Sequence, residues 1–243
     1  MAAAALAVAP AAVAQAAPGL VGGFAAVQRA AGAPIGVAIA PGGGRAAIVL
    51  GDDGGGSAWS TIKVPIAVAA EQRFGSSLSA DMSAAIVHSD NAAAERLWAA
   101  LGTGSRAAAA VQRVIRAGGD GATVVDAENG WGLTPWTNAN EATFAAHLAC
   151  IRGAGPVMAL MRGVDGTQRW GAATLPGAAV KGGWSPSGGR YVVRQMAVIS
   201  TPTGQAGVSM STVAPTFTAG TRVLDRVGAW LRANQAQLPG GHC

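Results

Sequence analysis

The chain has 243 residues, half of them apolar and 36 of them glycine, with a formal net charge of +5 from 17 basic and 12 acidic side chains. That length suits one α/β domain or two small subdomains and is ample for a full hydrophobic core. The basic residues are scattered, without runs or interleaved aromatic platforms, which argues against nucleic-acid recognition and leaves attraction to an anionic cell wall open; no stretch after Ala17 has 18 consecutive apolar residues, so no membrane span is expected once a leader is removed.

Residues 1–17 are apolar and small, and Ala14-Gln15-Ala16 fits an A-x-A cleavage site, so this segment reads as the remnant of an export signal. It lacks a basic front end, which leaves a misplaced start codon or a disordered Ala/Pro tail as alternatives. Residues 18–243 are then the domain, secreted or associated with the cell envelope. Residues 20–31 read as a helix, and I-G-V-A-I-A-P-G-G-G-R-A-A-I-V-L as two strands joined by a glycine turn. After G-D-D-G-G-G-S, residues 60–74 are helical in pattern, with Pro65 tolerable in the first turn. Further helices are expected over 78–87, 92–101, 106–117 and 138–151, with a glycine-rich loop at 118–132. Strands follow at 178–182, 191–200 and 207–212, and a closing helix at 219–234. Strands at both ends around a helical middle imply a sheet formed by the two termini, with the helices against it. Cys150 and Cys243 form a disulfide in an oxidising compartment or remain two free thiols, and the sequence leaves that open. His88, His147 and His242 are scattered, so no metal cluster and no cofactor is expected.

Only two lysines occur, Lys63 and Lys181, against fifteen arginines. A guanidinium stays protonated at any working pH, whereas a buried ammonium can lose its proton, so a lysine kept where arginine is otherwise used points to a proton carrier or a tight point charge. Lys63 lies three residues after Ser60, which puts hydroxyl and amine on one helical face, a turn apart. That is a way to activate a serine nucleophile without histidine.

Three stretches then stand in order: S-T-I-K at Ser60, S-D-N at Ser89 and K-G-G at Lys181. With them the chain resembles the penicillin-recognising serine enzymes, the class A β-lactamase-related family, over nearly all of residues 18–243. The resemblance implies an α/β fold of the β-lactamase and transpeptidase type, with an antiparallel sheet from the N- and C-terminal segments and a reduced helical subdomain. It implies Ser60 as nucleophile, Lys63 as its base, Ser89 as the proton donor to the leaving group, and Asn91 on the substrate amide. The backbone amides of Ser60 and Trp184 would form the oxyanion hole beside Gly183.

Two departures stand out. Gly182 replaces the family's threonine or serine and offers no hydroxyl to a substrate carboxylate, a role that Arg190, nine residues after Lys181, is placed to share. No E-x-x-L-N loop holds a deacylating water, and Glu128, beside Asn129 and near Asp126, is the candidate in the corresponding loop for positioning it. The tyrosine-based branch is disfavoured, because the sole tyrosine, Tyr191, precedes Val-Val. The expected activity is acyl transfer through an acyl-Ser60 intermediate on a small-molecule β-lactam or a peptidoglycan-type D-alanyl amide or ester. The alternatives are a penicillin-binding, peptidase-like protein with slow deacylation and a non-catalytic cell-wall binding module.

Overall fold

The computed structural model describes residues 13–243 except 45 and 54. Most of the segment read as an export signal, residues 1–12, lies outside them. The following Val13–Ala14 (β1) pairs in parallel with Ala47 and Ile48. Helix α1 (Pro18–Ala31) leads into β2 (Ile35–Pro41) and β3 (Ala47–Gly51). All seven residues of β2 are buried, and a strand covered on both faces reads as a continuous apolar run, as this one does. The short β4 (Gly56–Ser57) pairs with β5 (Pro135–Trp136), and between them come α2 (Lys63–Phe74), α3 (Ser79–Val87), α4 (Asn91–Leu101) and α5 (Gly104–Ala117). Helices α6 (Asn138–Ala146) and α7 (Ala154–Arg162) precede β6 (Ala179–Ser187), β7 (Arg190–Thr201) and β8 (Gly204–Ala214), and α8 (Phe217–Ala233) closes the fold.

The sheet order is β1-β3-β2-β8-β7-β6, antiparallel throughout except for β1. The two terminal segments therefore do form one sheet, with five antiparallel strands. Helices α1 and α8 cover one face, where Leu20 and Phe24 pack with Leu224, Trp230 and the inward side chains of the strands. Helix α6 lies on the other face so closely that a β-carbon on Gly207 of β8 would sit 2.1 Å from the Ala146 amide nitrogen. Only glycine permits that approach. A second core joins α2, α3, α4, α5 and α7, and every residue of α2 from Lys63 to Ala70 is buried. A helix enclosed on all sides can carry a charged side chain only where polar partners receive it.

Three stretches differ from the sequence expectation, the first two for a tertiary reason. Strand β6 continues through G-G-W-S-P-S, a turn-like composition, because β7 offers a ladder as far as Ser187 opposite Arg190. It is an edge strand, where Pro186 is tolerated. Helix α7 falls where no element was expected: Pro156 occupies its first turn, and Val157, Met158 and Met161 are buried. The expected helix at 138–151 ends at Ala146 and gives way to a 3-10 turn, Leu148–Cys150.

Cys150 and Cys243 form a disulfide that closes a separation of 93 residues, which resolves the open pairing. A loop of that length stabilises by about 4.6 kcal/mol on the chain-entropy account. The buried Arg194–Glu141 pair, 2.7 Å apart, ties β7 to α6, and Arg194 Nη1 also donates to the carbonyls of Ser57 (3.0 Å) and Trp136 (3.0 Å). That contact anchors the β4–β5 ribbon immediately ahead of Ser60. Among the described residues, no helix is long and apolar enough to cross a membrane.

Candidate active site

Ser60 lies in a 3-10 turn, Trp59–Ile62, that runs directly into α2. Ser60 is thus in the 3-10 turn and Lys63 is the first residue of the helix that follows it, three positions on. Trp59 enters the turn at φ 49°, and Ser89 has φ 57°. Besides these two, Thr103 has the only other positive φ of a described non-glycine residue. Such backbone conformations are each unfavourable by about 1–3 kcal/mol and tend to gather where a side chain must be aimed.

The turn abuts β6. A β-carbon on Gly183 would lie 3.0 Å from both the Ala58 carbonyl oxygen and the Ser60 amide nitrogen. Glycine there lets the strand backbone pass beside the amide of Ser60. Gly182 points to the other face, where a β-carbon would lie 2.8 Å from Trp170 Cζ2. The indole of Trp170 therefore occupies the space a threonine or serine would need, which accounts for the missing hydroxyl.

Both lysines are fully buried and meet at Ser89. Lys63 Nζ donates to Asn91 Oδ1 (2.6 Å) and the Ser89 carbonyl (2.5 Å), and lies 3.4 Å from Ser89 Oγ. Lys181 Nζ donates to Ser89 Oγ (2.9 Å), Gln168 Oε1 (2.5 Å) and the Gly182 carbonyl (2.9 Å). Burial lowers the Lys63 pKa to about 8, against the opposing pull of Asp90 and Glu95. Lys181 is pushed well below the ordinary lysine value, first by burial and then by the charge of Lys63. Asp90 caps α4 through the Ala93 amide (2.6 Å). Ser60 Oγ makes no hydrogen bond to a described residue, and the three donors of Lys63 are directed to Ser89 and Asn91.

A cleft of about 350 Å³ opens over this cluster, lined by Trp59, Ser60, Asn91, Glu95, Trp131 and Trp184 among others. The ring of Trp184 is half-buried and packs on Phe217, 4.8 Å between centroids, against the core under the sheet. Of the two acids, the structure brings Glu95 to the cleft and leaves Glu128 outside its lining. Glu128 is exposed, and its amide donates to Asp126 Oδ1 (2.9 Å) in a loop closed on itself. Glu95, one turn after Asn91 on α4, accepts a 2.9 Å hydrogen bond from Trp131 Nε1, and the Trp131 ring lies 5.7 Å from Lys63 Nζ. Arg190 is likewise outside the lining: it is exposed at the start of β7, and its Nη2 donates to the Val213 carbonyl (3.2 Å).

Gln168 and Glu95 went unrecognised in the sequence. Gln168 is buried, accepts from Lys181 Nζ and the Gly182 amide (3.2 Å), and donates to the carbonyls of Ile86 (3.0 Å) and Val87 (2.9 Å). It thereby ties β6 to the end of α3, next to Ser89. Among the described residues no group of three or more His, Cys, Asp or Glu is placed to hold a metal ion.

No protein-family model and no curated protein matches the sequence. Solved structures do match in shape. A β-lactamase from Burkholderia vietnamiensis superposes with TM-score 0.69 at 22% identity, over 90% of this chain and 97% of that one. A β-lactamase from Streptosporangium roseum gives 0.69 at 15%, over 89% and 98%. An ancestral class A β-lactamase gives 0.65 at 20%, over 88% and 99%. The shape match and the span covered agree with the resemblance read from S-T-I-K, S-D-N and K-G-G: the chain has the fold of the class A β-lactamases.

Proposed function

We propose that the protein is an extracytoplasmic serine acyl-transfer enzyme that opens a β-lactam or a D-alanyl-type amide or ester through an acyl-Ser60 intermediate. The observation that carries this reading is the convergence of Lys63 and Lys181 on Ser89 Oγ beneath the cleft that Ser60 lines. With a pKa of about 8, roughly one tenth of Lys63 is neutral at pH 7, enough for a general base. The neutral amine gives up one donor and gains a lone pair that takes the Ser60 proton as Oγ attacks the carbonyl. Ser89 Oγ then relays a proton from the lysine pair to the leaving nitrogen or oxygen. The amides of Ser60 and Trp184 receive the oxyanion, with Gly183 between them free of any side chain, and Asn91 holds the substrate amide.

Hydrolysis also needs an oriented water and a base beside it. Glu95 is the acid lining the cleft, held by Trp131, and takes that role in place of Glu128. Intact-mass measurement after incubation with a panel of β-lactams tests the reading. Covalent adducts on the native protein that are absent from Ser60→Ala support it. No adduct with any member at any time, and no turnover, leaves the fold without the chemistry, as in a wall-binding module.

A further inference from the structure

A second cleft, of about 560 Å³, opens on the helical subdomain where α2, α5, the end of α4 and the turn after Cys150 meet. Arg73, Arg106, Arg113 and Arg152 line it over a floor that includes Ala69 and Ala110, and no acidic residue is in the lining. Arg73 Nη1 donates to the Leu101 carbonyl (3.0 Å). The guanidiniums of Arg106, Arg113 and Arg152 form no ion pair or hydrogen bond with a described residue. Arg106 and Arg113 are seven residues apart on α5, two turns along one face, which separates their origins by about 10 Å. Arg106 also sits in the first turn of α5, the end where the helix dipole disfavours a cation, and no acid in that turn offsets it.

Like charges gathered without a counter-charge repel one another, and a bound anion removes that repulsion. The planar fork of arginine matches phosphate and carboxylate oxygens two at a time. The volume falls in the range of small-molecule sites, roughly 300–1,000 Å³. We propose that this cleft binds a soluble oxyanion carrying two or more phosphate or carboxylate groups, a function separate from the chemistry at Ser60. Because the four side chains are exposed, binding is strengthened by low salt and weakened by high salt.

Calorimetric titration of the whole protein with inorganic tripolyphosphate, and separately with citrate, tests this at low and high salt. Saturable one-to-one binding of at least one anion is expected, and the stronger of the two assigns phosphate or carboxylate. The double variant Arg106→Ala/Arg113→Ala should weaken it by about tenfold or more. Arg162→Ala/Arg232→Ala, which removes the same charge from exposed positions elsewhere, should leave it unchanged. Absence of saturable binding at low salt, or equal weakening in the two double variants, overturns the proposal. None of these arginines lines the Ser60 cleft, so the result stands whatever reaction that cleft performs.

Discussion

On the proposed reaction, Glu95→Gln should separate acylation from deacylation. The glutamine keeps the length of the side chain and an oxygen for Trp131 Nε1, now 2.9 Å from Glu95 Oε1, but it has neither charge nor basicity. Loss of a general base on the deacylating water should slow the steady phase by about 10²–10⁴. Acylation should respond in the opposite sense. Glu95 is one of the two carboxylates that hold the Lys63 pKa up against burial, so its removal lets that value fall below about 8 and raises the neutral fraction at pH 7. Stopped-flow hydrolysis of a chromogenic β-lactam from about pH 5.5 upward reads both phases. A burst of about one product per enzyme is expected to survive, with its acid limb moved to lower pH, and acyl-protein to accumulate in intact-mass spectra. Glu128→Gln, outside the cleft, should leave both phases unchanged. Parallel loss of burst and steady phase would show that Glu95 only supports Trp131, and an unaltered steady phase would show that another group holds the water.

Lys63→Arg should abolish labelling of Ser60, because guanidinium keeps its proton; labelling near the native rate, with near-UV circular dichroism unchanged, refutes the base assignment. Stability should rise with pH between about 8 and 10.5, where the unfolded chain binds protons that folded Lys63 and Lys181 do not, with Lys63 alone contributing up to about 3 kcal/mol; urea midpoints across that window check it, and Lys63→Met should reduce the rise to the share of Lys181. Gly182→Thr, driven against Trp170 Cζ2, should destabilise by about 1–3 kcal/mol in denaturant titration, with partial recovery when Trp170→Leu is added. Glu141→Ala leaves Arg194 buried and unpaired and should destabilise by about 3–5 kcal/mol in the same assay.

What the sequence made legible was local. Ser60 and Lys63 are three residues apart, Ser89-Asp90-Asn91 sits at a helix start where Asp90 is the cap, and the terminal strands have a period that needs no knowledge of their partners. What stayed hidden depends on residues distant in sequence. Gln168 matters because β6 brings Lys181 to it, and a neutral amide in a Gly-rich turn carries no periodic signal. The Arg194–Glu141 pair joins positions 53 apart, on a strand and a helix whose own patterns are apolar. Glu95 had a visible cue, since it follows Asn91 by one turn on a helix that presents Asn91 to the cleft. Glu128 had the wrong one: closeness in sequence to Asp126 and Asn129 looked like a cluster, but Asp126 spends its oxygens on the amides of that same loop.

The fit of lysine to positions 63 and 181 follows from geometry as much as from acidity. Lys63 has three acceptors within 3.4 Å and Lys181 three within 2.9 Å, which is the donor count of an ammonium, all converging on one nitrogen. Arg194, the buried arginine, has the contrasting arrangement: Nη1 faces the carbonyls of Ser57 and Trp136 while Nη2 meets Glu141, a spread that suits a plane and not a point. The partners also differ in charge. Arg194 touches a carboxylate directly, whereas neither lysine forms an ion pair with a described residue, and their acceptors are neutral oxygens. Neutral acceptors satisfy the hydrogen bonds of a buried ammonium without fully repaying its lost hydration, so its proton is held loosely. The same acceptors therefore suit lysine over arginine, while burial lowers the pKa of each amine, and the Ser89 hydroxyl lies between the two groups.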